Sequence, residues 1–254
     1  MEIEAAVAHY REHGWARLGK IADDATIDAL RRRADAIMMG EVTYPGLFFQ
    51  HDAESGRYED LEYGKGWKGP SLAYRKVEKL ELDPIYWAWI RSETFRRVAA
   101  LVYPGSDVTL YRAFLMNKNA AGGSDLPWHQ DGGQFWGLDR DPTLQIWTGL
   151  DDAPEGGGCV EVAAGTHHAG LATPLGGVVP REKTDHAQAL PIPTVAGEVL
   201  LLHNHVWHRS GRAIPGNPRR ALSVCYMDAA TACRRRKRAP RTFVRVFAAD
   251  GSAC

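Results

Sequence analysis

From residue 107 onward the chain breaks into short apolar runs: VTLYRAFLM, LQIWTGL, CVEVAAG, GEVLLLH, ALSVCYM and TFVRVF, separated by Gly, Pro and Asp. Short runs rich in β-branched and aromatic residues and bounded by turn formers read as strands. Several in succession read as an antiparallel sandwich or barrel. The first hundred residues read mainly as helix and loop. Ile27, Leu30, Ala34 and Ile37 recur at helical spacing, with Asp24 as N-cap and Gly40 as the stop. A second helical stretch covers 83–102, broken near Ser92. Residues 41–75 between them carry many Gly, Pro and aromatic residues and read as a long irregular segment, a kind that often serves function. Helices first and strands later, without regular alternation, predict one α+β, mainly β domain over 1–254. Its helical part runs to about 105 and its β core over about 106–250.

Composition narrows what such a domain can do. The chain has 254 residues and 44% hydrophobic content, enough for a substantial core. Lys plus Arg and Asp plus Glu balance at 31 each, so net charge gives no push toward nucleic acid or membrane. The RRRKR run at 234–238 then reads as a solvated basic turn. No apolar run approaches a membrane span. The opening MEIEAAVAHYREHGW is acidic and amphipathic, unlike a signal peptide. Cys159, Cys225, Cys233 and Cys254 form no CxxC pair, which predicts reduced thiols in a cytoplasmic protein, with Cys159 buried as a small apolar group. Trp67 reads as a loop anchor and Trp87 as a core anchor. The expected partner is a small molecule, not nucleic acid or membrane.

The chemistry concentrates in His129-Gln130-Asp131. A His and a carboxylate two residues apart point to one side of a strand. A third ligand from another strand completes one face of an octahedron, and two His plus one carboxylate is the arrangement of non-haem Fe(II) oxygenases. A lone HxD among 10 His says little. Here, however, His208 follows the strand GEVLLLH, Ser210 stands two residues later, and Arg219 opens the next strand, where an Arg can grip a carboxylate reaching into the barrel. His203 and His205 are rival ligands, but they lack Ser and Arg at matching distances, and strand alternation puts them on the face opposite His208. Arg220 should point away from Arg219. His167 and His168 follow a Gly-rich turn and read as surface or loop residues.

FLMNK at 114–118, LPWHQDGG at 126–133, LQIWTGLDDAPEGGGCVEVAAGTH at 144–167, GEVLLLHNHVWHRSG and PRRALS together resemble the phytanoyl-CoA dioxygenase family of Fe(II)/2-oxoglutarate-dependent oxygenases over most of the chain. One departure is AAGTHH at 163–168, where the family more often has Pro-Gly-Ser-His; it should alter a turn without touching the iron. The resemblance implies a double-stranded β-helix, a jelly-roll or cupin-like core buttressed by N-terminal helices. It implies Fe(II), 2-oxoglutarate as cosubstrate and O2. Carried over by residue, His129, Asp131 and His208 bind iron, Arg219 holds the distal carboxylate of 2-oxoglutarate with help from Ser210, and Trp147 and Phe114 flank the cosubstrate. Lys76 lies where the family can supply a basic residue.

The carboxylate at Asp131 disfavours halogenation, because related halogenases put a small residue there. Hydroxylation is the default outcome, with cyclisation as a variant. Gln145 alternates with Trp147 and should face the interior, where it can contact substrate; Phe135 and Trp136 should line the entrance. The segments 41–75 and 172–190 are candidate lids, and their mixed charge favours a small polar metabolite, such as a sugar or aminocyclitol intermediate of natural-product biosynthesis. The alternatives are a non-catalytic β-helix protein that binds a metal or small ligand, and an acyl-CoA hydroxylase.

Overall fold

The computed structural model describes residues 2–64, 66–237 and 240–250; Lys65, the last Arg of the basic run (Arg238) and Cys254 lie outside the described residues. Along these the chain forms α1 (Ile3–His13), β1 (Trp15–Lys20), α2 (Asp24–Met38), β2 (Phe48–His51), β3 (Tyr74–Glu78), α3 (Pro84–Ile90), α4 (Glu93–Val102), β4 (Val108–Lys118) and β5 (Leu126–Gln130). It continues through β6 (Leu144–Gly149), β7 (Val160–Ala163), β8 (Gly177–Val178), α5 (Arg181–Thr184), β9 (Leu190–Ile192), β10 (Glu198–His203), β11 (Trp207–Ser210), β12 (Arg219–Asp228) and β13 (Arg245–Phe247).

The strands make two antiparallel sheets. The larger has the order β1-β10-β6-β12-β4-β3-β2, with β13 also on β4; the smaller has the order β8-β5-β11-β7-β9. This is the mainly β, jelly-roll arrangement expected. Alternation along the central strands explains their unbroken apolar runs, since both faces of the larger sheet are covered. Leu144, Ile146, Val199, Leu201, Leu222 and Val224 face the helices and pack with Tyr10, Ile27, Leu30, Ile37, Phe95 and Val98. Trp147, Leu200, Leu202 and Ala221 face the smaller sheet and meet Val160, Val162, Ile192 and Val206.

Three expectations need correction. The N-terminal part is not only helix and loop: β1, β2 and β3 belong to the larger sheet. β1 was hidden because WARLGK is short, lies at a sheet edge, and buries only Ala16 and Leu18. The segment 41–75 likewise contains β2. The N-cap of α2 is Asp23, whose side chain accepts from Thr26 N, while Asp24 lies in the first turn and pairs with Lys20 at 2.8 Å. Gly40 does stand just past the helix end, in the left-handed region at φ 77°, and the break between α3 and α4 falls at Arg91–Ser92. No helix of the described residues is long and apolar enough to cross a membrane.

The helical layer is fixed by one buried carboxylate. Asp83 is fully buried and its Oδ1 accepts from Ile85 N (2.9 Å) and Tyr86 N (3.1 Å), capping α3. Its Oδ2 accepts from Tyr44 Oη at 2.9 Å and lies 3.4 Å from Arg33 Nε. Removing it orphans two amides, a hydroxyl and a guanidinium together. Asp83→Ala should therefore lower the urea unfolding free energy by about 3 kcal/mol, and Asp83→Asn by less, because the amide oxygen still caps.

Candidate metal centre

β5 and β11 pair antiparallel with His129 directly opposite His208. Asp131 follows β5, two residues past His129, and its backbone N donates to Asn204 O at 2.8 Å. One donor atom from each of His129, Asp131 and His208 lies within 4.8 Å of the others. The two rings are 4.0 Å apart between centroids, and Asp131 Oδ2 is 3.9 Å from His208 Nε2.

Each histidine has its inner nitrogen committed. His129 Nδ1 is 2.9 Å from Pro127 O, and His208 Nδ1 is 3.0 Å from Val206 O. A carbonyl only accepts, so both Nδ1 atoms carry the proton and both Nε2 lone pairs are free for a cation. Burial, then the neighbouring His208, pushes His129 well below the ordinary imidazole range. Burial acts to raise Asp131, but Arg112 and the two histidines outweigh it and hold the carboxyl below its usual value. A neutral His129 beside an ionised Asp131 suits a divalent metal, and His208 Nε2 faces the same carboxylate, so the donor set fits Fe(II).

The metal loop is clamped from behind. Gln130 donates to Gly170 O (2.8 Å) and His205 O (2.6 Å) and accepts from Ala172 N (2.6 Å). Asp141 accepts from Gly133 N at 2.8 Å and meets His205 Nε2 at 2.9 Å. Gly176 sits at φ 78°, and a Cβ there would lie 2.1 Å from Gly132 O, so this close approach requires glycine.

A cavity of about 410 Å³ opens over the triad. Arg219, Ser210, Trp147 and Phe114 line it, as do Gln145, Phe135, Trp136 and Lys76, so the side chains expected to hold metal, cosubstrate and substrate meet in one space. Arg219 is 2% exposed; its Nη2 lies 3.5 Å from Ser210 Oγ and its guanidinium 5.9 Å from the Trp147 ring. Burial brings Arg219 down to about 10. Burial, then Arg112, brings Lys76 to about 8, although its Nζ is 2.5 Å from Glu78 Oε1. Trp136 is buried and stacks on Tyr111, whereas Phe135 stands 55% exposed at the mouth. Both candidate lids border the cavity, through Tyr58 and Tyr63 on one side and Gly177 and Val178 on the other.

Sequence reasoning missed Arg112, Arg75 and Ser223, which also line the cavity. Arg112 carried a signal: it alternates with Phe114 and Met116 along β4, and all three face inward. Arg75 carried none. It adjoins the equally inward Lys76, because the β2–β3 register slips between Gln50↔Lys76 and His51↔Tyr74, leaving Arg75 as the extra residue of a bulge.

The rivals fall elsewhere. His203 ends β10, beside the rings of Tyr10 and His167, and His205 pairs with Asp141. The reason differs from the one expected: the chain turns at 204–206, so these residues do not share a strand with His208. Arg220 turns to Asp151 and Asp35, at 2.8 and 2.7 Å. His168 is exposed, but His167 is buried with Nε2 3.0 Å from Arg11 O, so it packs against α1 and is not a surface residue. In the basic run, Arg235 Nη2 donates to Phe135 O at 2.5 Å, so this residue is tied to the mouth and not simply solvated. Cys159 is buried and unpaired, Trp67 is 47% exposed over Gly40, and Trp87 packs partly buried on the core.

The profile of the phytanoyl-CoA dioxygenase (PhyH) family matches residues 10–221. Phytanoyl-CoA dioxygenase domain-containing protein 1 of Bos taurus is 26% identical over 160 residues, which is 59% of this chain and 55% of that protein, so the match spans about half of the relative. Phytanoyl-CoA dioxygenase of Arabidopsis thaliana is 22% identical over 242 residues, 85% of each chain. The crystal structure of the epimerase SnoN in complex with Fe3+, α-ketoglutarate and nogalamycin RO superposes with a TM-score of 0.70 at 18% identity, covering 92% of this chain and 86% of that one. At that identity the likeness concerns the fold.

The histidines set a pH dependence. Burial, then His167 and His205, holds His203 at about 3, and His129 is also lowered. Unfolded imidazoles take up protons near pH 6.5, so below that value the unfolded chain binds more protons than the native one. The stability these groups contribute is complete above pH 6.5 and is lost as pH falls toward 3. The melting temperature of the metal-free protein should drop from pH 7 to pH 5, and His203→Gln should flatten that slope by about one proton.

Proposed function

The chain belongs to the phytanoyl-CoA dioxygenase family of iron- and 2-oxoglutarate-dependent oxygenases, and from that premise we propose that it oxidises a small polar metabolite, with His129, Asp131 and His208 holding Fe(II) and Arg219 holding the distal carboxylate of 2-oxoglutarate. One observation carries the reading. A triad with both Nδ1 atoms tied off shares a cavity with a buried arginine that has no carboxylate in salt-bridge range among the described residues. An unpaired buried guanidinium is costly, and the ligand that relieves it here is a carboxylate, which a non-catalytic metal binder has no reason to accommodate.

When bound, iron and 2-oxoglutarate supply the oxidising chemistry, with O2 as the oxidant. The residues supply placement. Arg219 and Ser210 hold the far end of the cosubstrate, and Trp147 and Phe114 form its walls. Gln145 presents an amide oxygen with no partner, suited to a substrate hydroxyl or amine. Trp136 and Phe135 shield the mouth from water. Hydroxylation is the outcome we favour, since Asp131 keeps the position that halogenation would need, and cyclisation needs only a different fate for the same activated substrate. A cavity bordered by Lys76, Arg112, Arg75 and Gln145 suits a polar natural-product intermediate better than a long acyl chain. We read the whole chain as one catalytic domain acting in the cytoplasm on a small molecule and not on nucleic acid; the buried free thiols of Cys159 and Cys225 agree with a reducing compartment.

Anaerobic titration with Fe(II) and 2-oxoglutarate should give a weak visible charge-transfer band that vanishes in His129→Ala and His208→Ala. Arg219→Ala should keep metal binding but raise the 2-oxoglutarate requirement at least about tenfold, as expected when one partner of a desolvated ion pair is lost. A well-folded wild-type protein without the band would refute the assignment, and turnover confined to acyl-CoA substrates would refute the polar-metabolite reading.

A further inference from the structure

Asp131 offers its two oxygens to different partners. Oδ2 is the oxygen that faces His208 Nε2, at 3.9 Å, while Oδ1 accepts from Arg112 Nη2 at 3.1 Å. Arg112 does not depend on Asp131 for its own position. Its guanidinium lies 4.5 Å from the Phe114 ring centroid and 4.6 Å from that of Trp136, and Trp136 is itself stacked on Tyr111 at 4.2 Å and 8°. Through its other terminal nitrogen, Arg112 Nη1 is 3.7 Å from Glu78 Oε1, which also takes Lys76 Nζ at 2.5 Å. Lys76, Glu78, Arg112 and Asp131 thus alternate in sign and sum to zero before any metal arrives.

We propose that Arg112 is a positioning residue for the iron: by holding Oδ1 it turns Oδ2 of Asp131 toward His208 Nε2 and presents that oxygen to the metal. This rests on Asp131 being an iron ligand. A carboxylate without such a partner is free to rotate, and a metal would have to order it on binding. A guanidinium on one oxygen orders it in advance, as partners of metal ligands do. Only arginine fits the task here. Its planar fork reaches Asp131 and Glu78 together and stacks between two rings, whereas a lysine ammonium is a point charge that cannot do both. Glu78 supports the arrangement by separating the like charges of Lys76 and Arg112.

The test compares wild type, Arg112→Lys and Arg112→Ala for anaerobic Fe(II) affinity, with melting of the metal-free proteins checked alongside. Loss of a partner that orients a metal ligand should weaken Fe(II) binding by about 10–100-fold in Arg112→Ala, with Arg112→Lys between it and wild type. Guanidinium ion added to Arg112→Ala should restore part of the affinity and should not restore it in His208→Ala; a purely structural role would give no such rescue. If Arg112→Ala does not fold, Arg112→Lys carries the measurement and should still bind Fe(II) more weakly than wild type. Folded variants that bind Fe(II) as tightly as wild type would overturn the role of Arg112 while leaving the metal site intact. Wild-type protein that binds no Fe(II) would instead overturn the metal assignment on which this inference stands.

Discussion

The antiparallel pairing of β5 with β11 is the constraint on which the site depends. It sets His129 opposite His208, and because side chains alternate faces, a slip of one residue would send one ligand to the far side of the sheet. Register is pinned beside the ligands. Ser210 pairs with Leu126, so β5 carries one extra residue between the two pairings. Pro127 lies within that bulge, where a missing N–H is tolerated, and its carbonyl is the one that accepts from His129 Nδ1. The same irregularity therefore bends the strand and holds His129 Nδ1 against a carbonyl. The smaller sheet is in turn held by its apolar inner face, where Val160, Val162, Ile192 and Val206 meet Trp147, Leu200 and Leu202.

On that frame the protein buries more positive charge than its own carboxylates neutralise at contact. Lys76 and Arg112 are matched by Glu78 and Asp131. Arg219 and Arg75 are not matched by a carboxylate in salt-bridge range among the described residues: Arg219 reaches only Ser210, and Arg75 donates to Gln50 Oε1 at 3.1 Å. Lys118, opposite Arg219 on β4, donates to Ser124 O at 2.7 Å, and burial, then Arg219, holds it far below the ordinary lysine range. Desolvated basic groups without a carboxylate at contact work against folding. The apolar layer between helices and sheet, from Tyr10 and Ile27 to Val224 and Phe247, offsets them, and an anionic cosubstrate is the group that would complete them.

Much of this was legible in the sequence, for identifiable reasons. The two-residue spacing of His129 and Asp131 and the apolar run GEVLLLH upstream of His208 survive without coordinates. Asp131 nevertheless falls just past β5, and His208 lies on a strand of its own, β11, beyond a turn that the sequence reading did not separate. Central strands such as GEVLLLH announce themselves because both faces are buried. Edge strands do not: β1 has one polar face and Gly19 at a register shift, and local propensity alone reads it as loop. Arg75 was invisible because a bulge breaks the alternation on which inward-facing residues are inferred. His167 does lie in a turn, as expected, but its burial was not legible, because the contact that buries it comes from α1, over 150 residues away.

The register across the larger sheet also orders the cavity. Successive inward rungs read Lys118–Arg219, Met116–Ala221–Gly149, Phe114–Ser223–Trp147 and Arg112–Cys225–Gln145. Three steps separate the first from the last, roughly 20 Å along the strands. Lys118, Ser210 and Arg219 at the first rung are all buried, and the exposed lining of the cavity includes Tyr63, Phe135 and Val178. Orphaned polar atoms lie along these rungs: Arg219 Nε on the first, Ser223 Oγ between the aromatic walls, and Gln145 Oε1 on the last. Buried polar atoms without partners are unstable arrangements unless something fills them. Two occupants meet that requirement on the proposed reading: a carboxylate at Arg219, and a polar group of the substrate at Gln145, on the rung that also carries Arg112.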